Sequence, residues 1–149
     1  MPVSQLGINI MVNLMLSIIC FIWQLPQNLI ALLILLFSKY KIKTVSGYWI
    51  SSFMPGYNTN KWTAISLGNY ILSSKELSTF DFKHEQGHQI QSKYFGPLYL
   101  VIVGIPSFFR ILYKNIFKKD AIWYHSGYPE NWADTLGRRW YENAKRRFH

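Results

Sequence analysis

Two long apolar runs and several shorter periodic segments organise this chain. The first run covers residues 6–37 and is interrupted by Gln24, Pro26, Gln27 and Asn28. Each of its two pieces is too short for a comfortable bilayer crossing, which needs about 20 apolar residues. The pattern therefore predicts one tilted helix that is kinked at Pro26, because proline breaks the hydrogen-bond ladder. A helical hairpin that lies partly in the bilayer or against protein is the alternative.

Residues 44–77 have the composition of strands and turns. Residues 48–53 are rich in aromatic and β-branched side chains, which favour a strand. Residues 62–73 predict another strand, in which Gly68 and Asn69 form a bulge or a tight turn. A small sheet is therefore expected ahead of the C-terminal half.

The C-terminal half predicts two helices on either side of the second apolar run. The first helix extends from about Thr79 to Tyr94, with Ser78 or Thr79 as its N-cap, and stops before Gly96. The apolar run follows at residues 98–117 and is itself expected to be helical. A last helix begins at about Glu130 and ends in a basic tail. Together with the sheet, these elements predict an α+β fold.

Charge modifies this picture by indicating a membrane. Of the 149 residues, 15% are charged and 50% are hydrophobic, and the formal net charge is +9. The basic residues cluster beside the apolar runs, as Lys39, Lys41 and Lys43, then Arg110, Lys114, Lys118 and Lys119, and finally Arg138, Arg139, Lys145, Arg146 and Arg147. Such clusters are typical of contact with anionic membranes. Nucleic acid is not expected as a partner, because no nucleic-acid-binding motif accompanies the charge.

The domain organisation follows from the runs and their flanks. Residues 1–43 are interpreted as a membrane-anchor segment whose basic flank lies on the cytoplasmic side. Residues 44–149 are interpreted as a single domain on that same side. Membrane lipid is therefore an expected partner. The single cysteine, Cys20, excludes an internal disulfide.

The segment His84-Glu85-Gln86-Gly87-His88 carries the most informative chemistry. Positions i and i+4 of a helix share one face, so His84 and His88 can converge on one metal ion. Glu85 projects beside them, where it can take a proton from water that the metal acidifies. This arrangement of residue types predicts catalytic zinc, although two solvated histidines on an amphipathic helix are the alternative.

A catalytic zinc site needs a third protein ligand. Glu130 and Asp134 are again i and i+4, at the start of the last helix. Glu130 is predicted as the third ligand, and Asp134 as the acceptor that orients a ligating histidine. His125 is the alternative third ligand. His125, Tyr124 or Tyr128 is otherwise expected to donate a hydrogen bond to the oxyanion of the reaction, although each could equally be a packed or loop residue.

The two motifs together resemble a known family. His84-Glu85-Gln86-Gly87-His88 followed by Glu130, Ala133, Asp134 and Gly137 is similar to the HExGH and ExxADxxG motifs of membrane gluzincins of the HtpX and CAAX-prenyl endopeptidase type. The resemblance covers roughly residues 60–140. It implies a minimal zincin-like domain with zinc on His84, His88 and Glu130. It also implies that Glu85 is the base, and that Asn69-Tyr70-Ile71 belongs to the substrate-aligning edge strand.

The second apolar run must not cross the membrane once, because His88 and Glu130 would then lie on opposite sides. Two crossings need about 40 residues, and the run has 20. The run is therefore predicted as a buried, re-entrant or interfacial segment that bends near Gly104 and Pro106. Arg110 also disfavours the centre of a bilayer.

The expected activity is zinc-dependent hydrolysis of peptide bonds in a peptide or membrane-protein substrate. The substrate would pair in extended form with the strand of residues 62–73. Two alternatives belong to other classes of protein. One is a membrane-associated zinc protein without catalysis, and the other is a basic membrane adaptor in which the motif is accidental.

Overall fold

The computed structural model describes residues 3–37, 42–45, 48–52, 64–73 and 77–147. The chain forms helices α1 (Val3–Trp23) and α2 (Leu25–Phe37), strands β1 (Ile42–Val45), β2 (Tyr48–Ser52), β3 (Ala64–Leu67) and β4 (Tyr70–Ser73), and helices α3 (Thr79–Phe95), α4 (Ile105–Ile116), α5 (Ala121–His125) and α6 (Glu130–Arg147). This arrangement confirms the α+β class. Lys39 and Lys41 of the predicted basic flank, and residues 62–63 of the predicted strand, lie outside the described residues.

The first apolar run forms two helices rather than one kinked helix. The axes of α1 and α2 meet at 86°, and the break is at Gln24. Pro26 lies in the first turn of α2, where its missing N–H group costs no hydrogen bond. Among the described helices, none alone is long and apolar enough to cross a membrane, and this bent pair satisfies the length and composition criteria only when joined.

The polar residues that interrupt the run attach it to the rest of the chain. Gln27 Nε2 donates to Ser92 Oγ at 2.9 Å and to the Gly96 carbonyl at 2.8 Å. Asn28 Oδ1 accepts from the Asn69 backbone N–H at 2.8 Å. α2 and the sheet also share an apolar core, to which α2 contributes Ala31 and Leu35 and the sheet contributes Leu67 and Leu72. The predicted boundary at residue 43 therefore does not separate two cores.

The sheet has the order β1-β2-β4-β3. β3 and β4 form an antiparallel hairpin, and Gly68 in the turn between them has a φ of +60° that favours glycine. The single strand predicted over residues 62–73 is thus two strands. β4 lies between β2 and β3, so Tyr70 and Ile71 are interior, and the resemblance placed the edge on the wrong strand. The edge beside α3 is β3.

Helix α3 ends within one residue of its predicted bounds. Ser78 is the N-cap, and its Oγ accepts from the Asp81 N–H at 3.1 Å. The helix stops at Gly96, whose φ of +50° ends the regular ladder. The side chain of Trp23 packs over this glycine and donates to the Lys93 carbonyl at 2.9 Å, which joins α1 to the end of α3.

Two glycines allow α3 and α6 to cross at backbone contact. A Cβ atom on Gly87 would overlap the backbone carbonyl of Ala133, and one on Gly137 would overlap the carbonyl of Lys83. Ala133 itself is fully buried at the crossing. Only small residues permit this separation, so the glycines and the alanine of the two motifs bring the predicted metal-ligand positions of α3 and α6 together.

The second apolar run forms a helical excursion between α3 and α6. It contains a 3₁₀ turn (Gly96–Leu98), a π-helical segment (Leu100–Gly104) and α4. Arg110 on α4 donates through Nε to the Tyr124 carbonyl at 2.6 Å, which ties the excursion back to α5. The run therefore returns to the same side of the fold, as the shared site requires.

Candidate metal centre

The predicted ligands His84, His88 and Glu130 meet in the structure. His84 Nε2 and His88 Nε2 lie 3.0 Å and 3.2 Å from Glu130 Oε2, and the two nitrogens are 3.1 Å apart. The three residues are 7%, 6% and 0% exposed. A buried group of two imidazoles and one carboxylate at these distances could hold a metal ion.

Both histidines are oriented by acceptors at their other ring nitrogen. His84 Nδ1 lies 2.7 Å from Asp134 Oδ1, and His88 Nδ1 lies 2.8 Å from Gln91 Oε1. Gln91 Nε2 in turn donates to the Pro129 carbonyl at 3.0 Å, which fixes its oxygen toward the imidazole. With a proton on each Nδ1, both Nε2 lone pairs face the centre of the group.

Sequence reasoning missed Gln91 and Ser107, which complete this arrangement. Gln91 lies three residues after His88 on α3, so the helical spacing could have identified it. Ser107 comes from the apolar excursion, and its Oγ donates to Glu130 Oε1 at 2.5 Å. No local pattern in the sequence connects Ser107 with Glu130, because tertiary packing alone brings them together.

Electrostatics favour a carboxylate at Glu130. Burial raises the pKa of Glu130, but hydrogen bonds from His84, His88 and Ser107 outweigh burial and hold this pKa well below its usual range. Tyr124 beside it has a raised pKa because the hydroxyl is buried and faces the charge of Glu130. Glu130 therefore offers a negatively charged oxygen, while Tyr124 keeps its proton.

The metal-free site places a proton on His84. Burial disfavours the imidazolium ion, but hydrogen bonds to Asp134 and Glu130, with the charge of Glu85, raise the pKa of His84 to about 10. The pKa of Asp134 is held below its usual range, because its hydrogen bonds to His125 and His84 outweigh burial. An arriving metal ion would therefore displace a proton from the centre.

Glu85 lies on α3 between the two histidines, and a residue of the edge strand β3 holds its position. The Ser66 hydroxyl on β3 lies 2.7 Å from Glu85 Oε2 and 2.8 Å from the Glu85 backbone oxygen. Glu85 is 7% exposed and faces the same cavity as His84 and His88. The carboxylate is thus fixed beside the ligand group without being part of it.

An open cavity of about 220 Å³ adjoins the ligand group. β3 forms one wall, the face of α3 that carries the motif forms the floor, and α4 with α5 closes the other side. Its apolar lining includes Ile65, Leu67, Leu100, Phe108 and Ile111. A metal ion here would border a space large enough for water and part of a substrate.

Of the three predicted oxyanion donors, two line this cavity. His125 lies at the cavity with Nδ1 3.0 Å from Asp134 Oδ2, and Tyr124 lines the cavity beside Glu130. The hydroxyl of Tyr128 instead donates to the Ile102 carbonyl at 2.7 Å, away from the cavity. The structure therefore does not bring the Tyr128 hydroxyl together with the other predicted site residues, and it places this hydroxyl on the helical excursion.

His125 also belongs to a second group of possible ligands, with His84 and Asp134. That group is less buried, since the side chains of His125 and Asp134 are 27% and 25% exposed. Asp134 bridges Nδ1 of both histidines, which is the geometry of an orienting carboxylate. The two groups share His84, so a single ion cannot use His84 Nε2 and Nδ1 at once.

A scan against models of protein families, a search of curated proteins and a search of solved structures each find no match to this chain. The chemistry of the centre is therefore inferred from its residues and distances.

Proposed function

We propose that this chain is a zinc-dependent metalloendopeptidase. The observation that carries the proposal is the meeting of His84, His88 and Glu130 within 3.2 Å of one another, beside Glu85 and an open cavity. Three protein ligands with an open side are typical of catalytic zinc, whereas structural zinc is enclosed by four protein ligands.

The ligand group fits zinc by distance and by donor type. Tetrahedral ligand atoms at about 2.05 Å from zinc lie about 3.3 Å apart. The observed separations of 3.0 to 3.2 Å need only a small expansion. Two imidazoles with one carboxylate favour zinc over magnesium or calcium, which prefer oxygen ligands alone.

The residues around the group have distinct tasks in peptide hydrolysis. Zinc bound there would supply a Lewis acid that polarises the scissile carbonyl and acidifies water. Glu85 takes the proton of the attacking water and later delivers it to the leaving amine. Ser66 holds the Glu85 carboxylate in place through the 2.7 Å hydrogen bond. Asp134 and Gln91 keep the histidine rings in the ligating orientation.

His125 is the better of the two remaining oxyanion donors. Its Nδ1 donates to Asp134, so in the imidazolium form the opposite ring nitrogen carries the second proton and can donate to a substrate oxygen in the cavity. The Tyr124 hydroxyl is instead close to Ser107 and to the charge of Glu130, which contributes to its raised pKa. Tyr124 thus supports the ligand Glu130, and His125 faces the substrate.

The substrate is an extended segment of a peptide or membrane protein. β3 is the last strand in the sheet order of the described residues, so its outer edge can pair with an extended chain. Residues Ala64–Leu67 of this strand line the cavity next to Glu85. Backbone pairing with β3 would place a peptide bond of the substrate next to His84, His88 and Glu130. Membrane association follows the apolar character of α1, with the catalytic residues on the cytoplasmic side.

Paired measurement of zinc content and hydrolysis of an unstructured peptide tests the assignment. Glu85→Gln should keep zinc and lose at least about 100-fold in rate, because it removes a general base. Glu130→Gln should lose zinc along with activity, because it removes a charged ligand. Glu142→Gln, an exposed position on the same helix as Glu130, is the matched control and should keep both.

Two results would contradict the proposal. Retention of full activity by both site variants would assign the hydrolysis to another protein or another site. Zinc binding without hydrolysis in the wild-type chain would instead favour the non-catalytic zinc protein, in which the ion serves folding.

A further inference from the structure

The helical excursion exposes a continuous apolar stripe. Each of its members is at least 40% exposed in the part of the chain that the structure describes: Leu98, Val101, Ile105, Phe108, Phe109, Leu112 and Ile116. The five members within α4 are spaced so that they share one side of that helix, and Leu98 and Val101 precede them in the 3₁₀ and π-helical turns. We call these seven residues the α4 stripe. A surface of this size on one helical side is typical of a binding surface rather than of solvent-exposed helix.

The opposite side of α4 contacts the metal-ligand group, α5 and the cavity. Ser107 donates to Glu130, and Arg110 donates to the carbonyls of Tyr124 and Trp123. Ile111 lines the cavity. Because these contacts fix the orientation of α4, the helix cannot turn to bury the stripe without breaking the ligand group.

Charge around the stripe selects the occupant. Lys118 and Lys119 follow α4 after Phe117 and are exposed. No acidic residue occurs between Glu85 and Asp120, so no negative charge within this segment offsets its lysines and Arg110. A partner protein surface would ordinarily offer mixed charges, whereas an apolar helix side bordered by lysines matches the interface of an anionic bilayer.

We propose that the α4 stripe docks in the interface of an anionic lipid bilayer, with α4 lying along the membrane surface. The apolar side chains enter the acyl boundary, and Lys118 and Lys119 contact the headgroups. α4 thereby joins two functions, since its inner side supports Glu130 and its outer side binds lipid. This attachment is separate from the apolar helix α1.

Phe108 connects the stripe to the cavity. It is 53% exposed as a member of the stripe, and it also lines the cavity that contains Glu85. Docking would thus bring the cavity next to the bilayer surface. On this basis, and resting on the proposed function, the substrate class narrows to chain segments that lie at a membrane surface.

Fluorescent labelling of single cysteines tests the docking. In full-length Cys20→Ser protein, cysteines replace Phe109 or Ile116 in the stripe, and Glu142 or Asn143 on α6 as exposed controls. Each carries an environment-sensitive dye and is reconstituted with phosphatidylcholine vesicles that contain phosphatidylglycerol. We expect a blue shift and strong quenching by spin-labelled lipid at the two stripe positions, and neither effect at the controls.

Stripe labels that behave like the α6 labels would overturn the proposal. Stripe labels that become shielded without lipid, in proportion to protein concentration, would also overturn it, because a second copy would then cover the stripe. Zinc content of each labelled variant is measured alongside. Retained zinc shows that the fold is intact and keeps failure of docking distinct from failure of the proposed function.

A charge variant provides an independent check. Lys118→Gln combined with Lys119→Gln should lower the quenching of the Ile116 label, with apparent docking reduced by roughly tenfold or more at low salt. The wild-type signal should weaken as salt is added. Unchanged quenching in the double variant would contradict docking through anionic headgroups.

Discussion

Substitution of Gly87 by alanine probes the helix crossing that assembles the metal centre. A Cβ atom at this position would meet the backbone carbonyl of Ala133, which no side-chain rotation can move. That oxygen would have to retreat by more than about 1 Å to reach the 3.0 Å below which Cβ contacts essentially never occur. α3 and α6 must therefore separate locally.

The separation has a predictable effect on the ligands. Glu130 lies on α6, three residues before Ala133, so it moves with the displaced helix. The histidine-to-carboxylate distances, now 3.0 and 3.2 Å, would grow past the roughly 3.3 Å that tetrahedral zinc requires. Overpacking of this kind lowers the free energy of unfolding by about 1–3 kcal/mol, and the higher helix propensity of alanine raises it by at most about 1 kcal/mol. Gly87→Ala should therefore lose both zinc affinity and stability.

Gly104→Ala is the matched control. A Cβ atom on Gly104 would have its nearest neighbours at 3.8 to 4.0 Å, which is ordinary van der Waals contact. This variant should keep zinc affinity and gain up to about 1 kcal/mol, because alanine favours the helix. Thermal unfolding and zinc competition with a chelator measure both effects. Wild-type stability and zinc affinity in Gly87→Ala would refute the crossing and the centre that depends on it.

Three further predictions concern the hydrogen bonds around the ligands. Asp134→Asn should lower zinc affinity by about 10–100-fold in chelator competition, because it weakens the acceptor at His84 Nδ1. Ser107→Ala should reduce zinc affinity by at least about tenfold, since a hydrogen bond to a charged group contributes about 1.5–3 kcal/mol; unchanged affinity would show that Ser107 does not orient Glu130. Zinc binding at pH 7 should release about one proton from His84, because the pKa of His84 is about 10 without metal. The affinity for zinc should therefore rise as the pH rises toward 10. Calorimetry in two buffers measures the proton release, and the absence of a release would contradict the protonation of His84.

Local sequence rules predicted the ligand-bearing elements because their signals are short in range. Helix α3 begins at its N-cap Ser78 and ends at Gly96, both of which are explicit in the sequence. Helical spacing alone places His84 and His88 on one side of α3. The pairing of Glu130 with them followed from the second motif, and the structure adds the glycine-dependent crossing that makes the meeting sterically feasible.

The predictions that differ from the structure concern segments whose conformation depends on tertiary contacts. The N-terminal run was expected to be one helix kinked at Pro26, but it turns by 86° at Gln24. The buried amides of Gln27 and Asn28 hold this turn through hydrogen bonds to α3 and the β3–β4 turn. In a hydropathy profile such residues are only polar interruptions of an apolar run, because the profile does not show hydrogen-bond partners that are distant in the sequence.

The residues around the predicted ligands also have roles that depend on contacts distant in the sequence. Tyr128 and His125 are equally plausible oxyanion donors by position, since both precede Glu130 by a few residues. The structure distinguishes them, because the Tyr128 hydroxyl binds the Ile102 carbonyl and His125 turns toward Asp134. Ser107 could not be identified at all, because an isolated serine within an apolar run has no local signature.

The most direct test of the central claim is the zinc content of three chains purified without chelator. The wild type should contain one zinc per chain, His88→Ala should contain almost none, and His125→Ala should keep one. This pattern identifies the buried group of His84, His88 and Glu130 rather than the group of His84, His125 and Asp134. Zinc retained by His88→Ala and lost by His125→Ala, or absent from all three chains, would contradict the account.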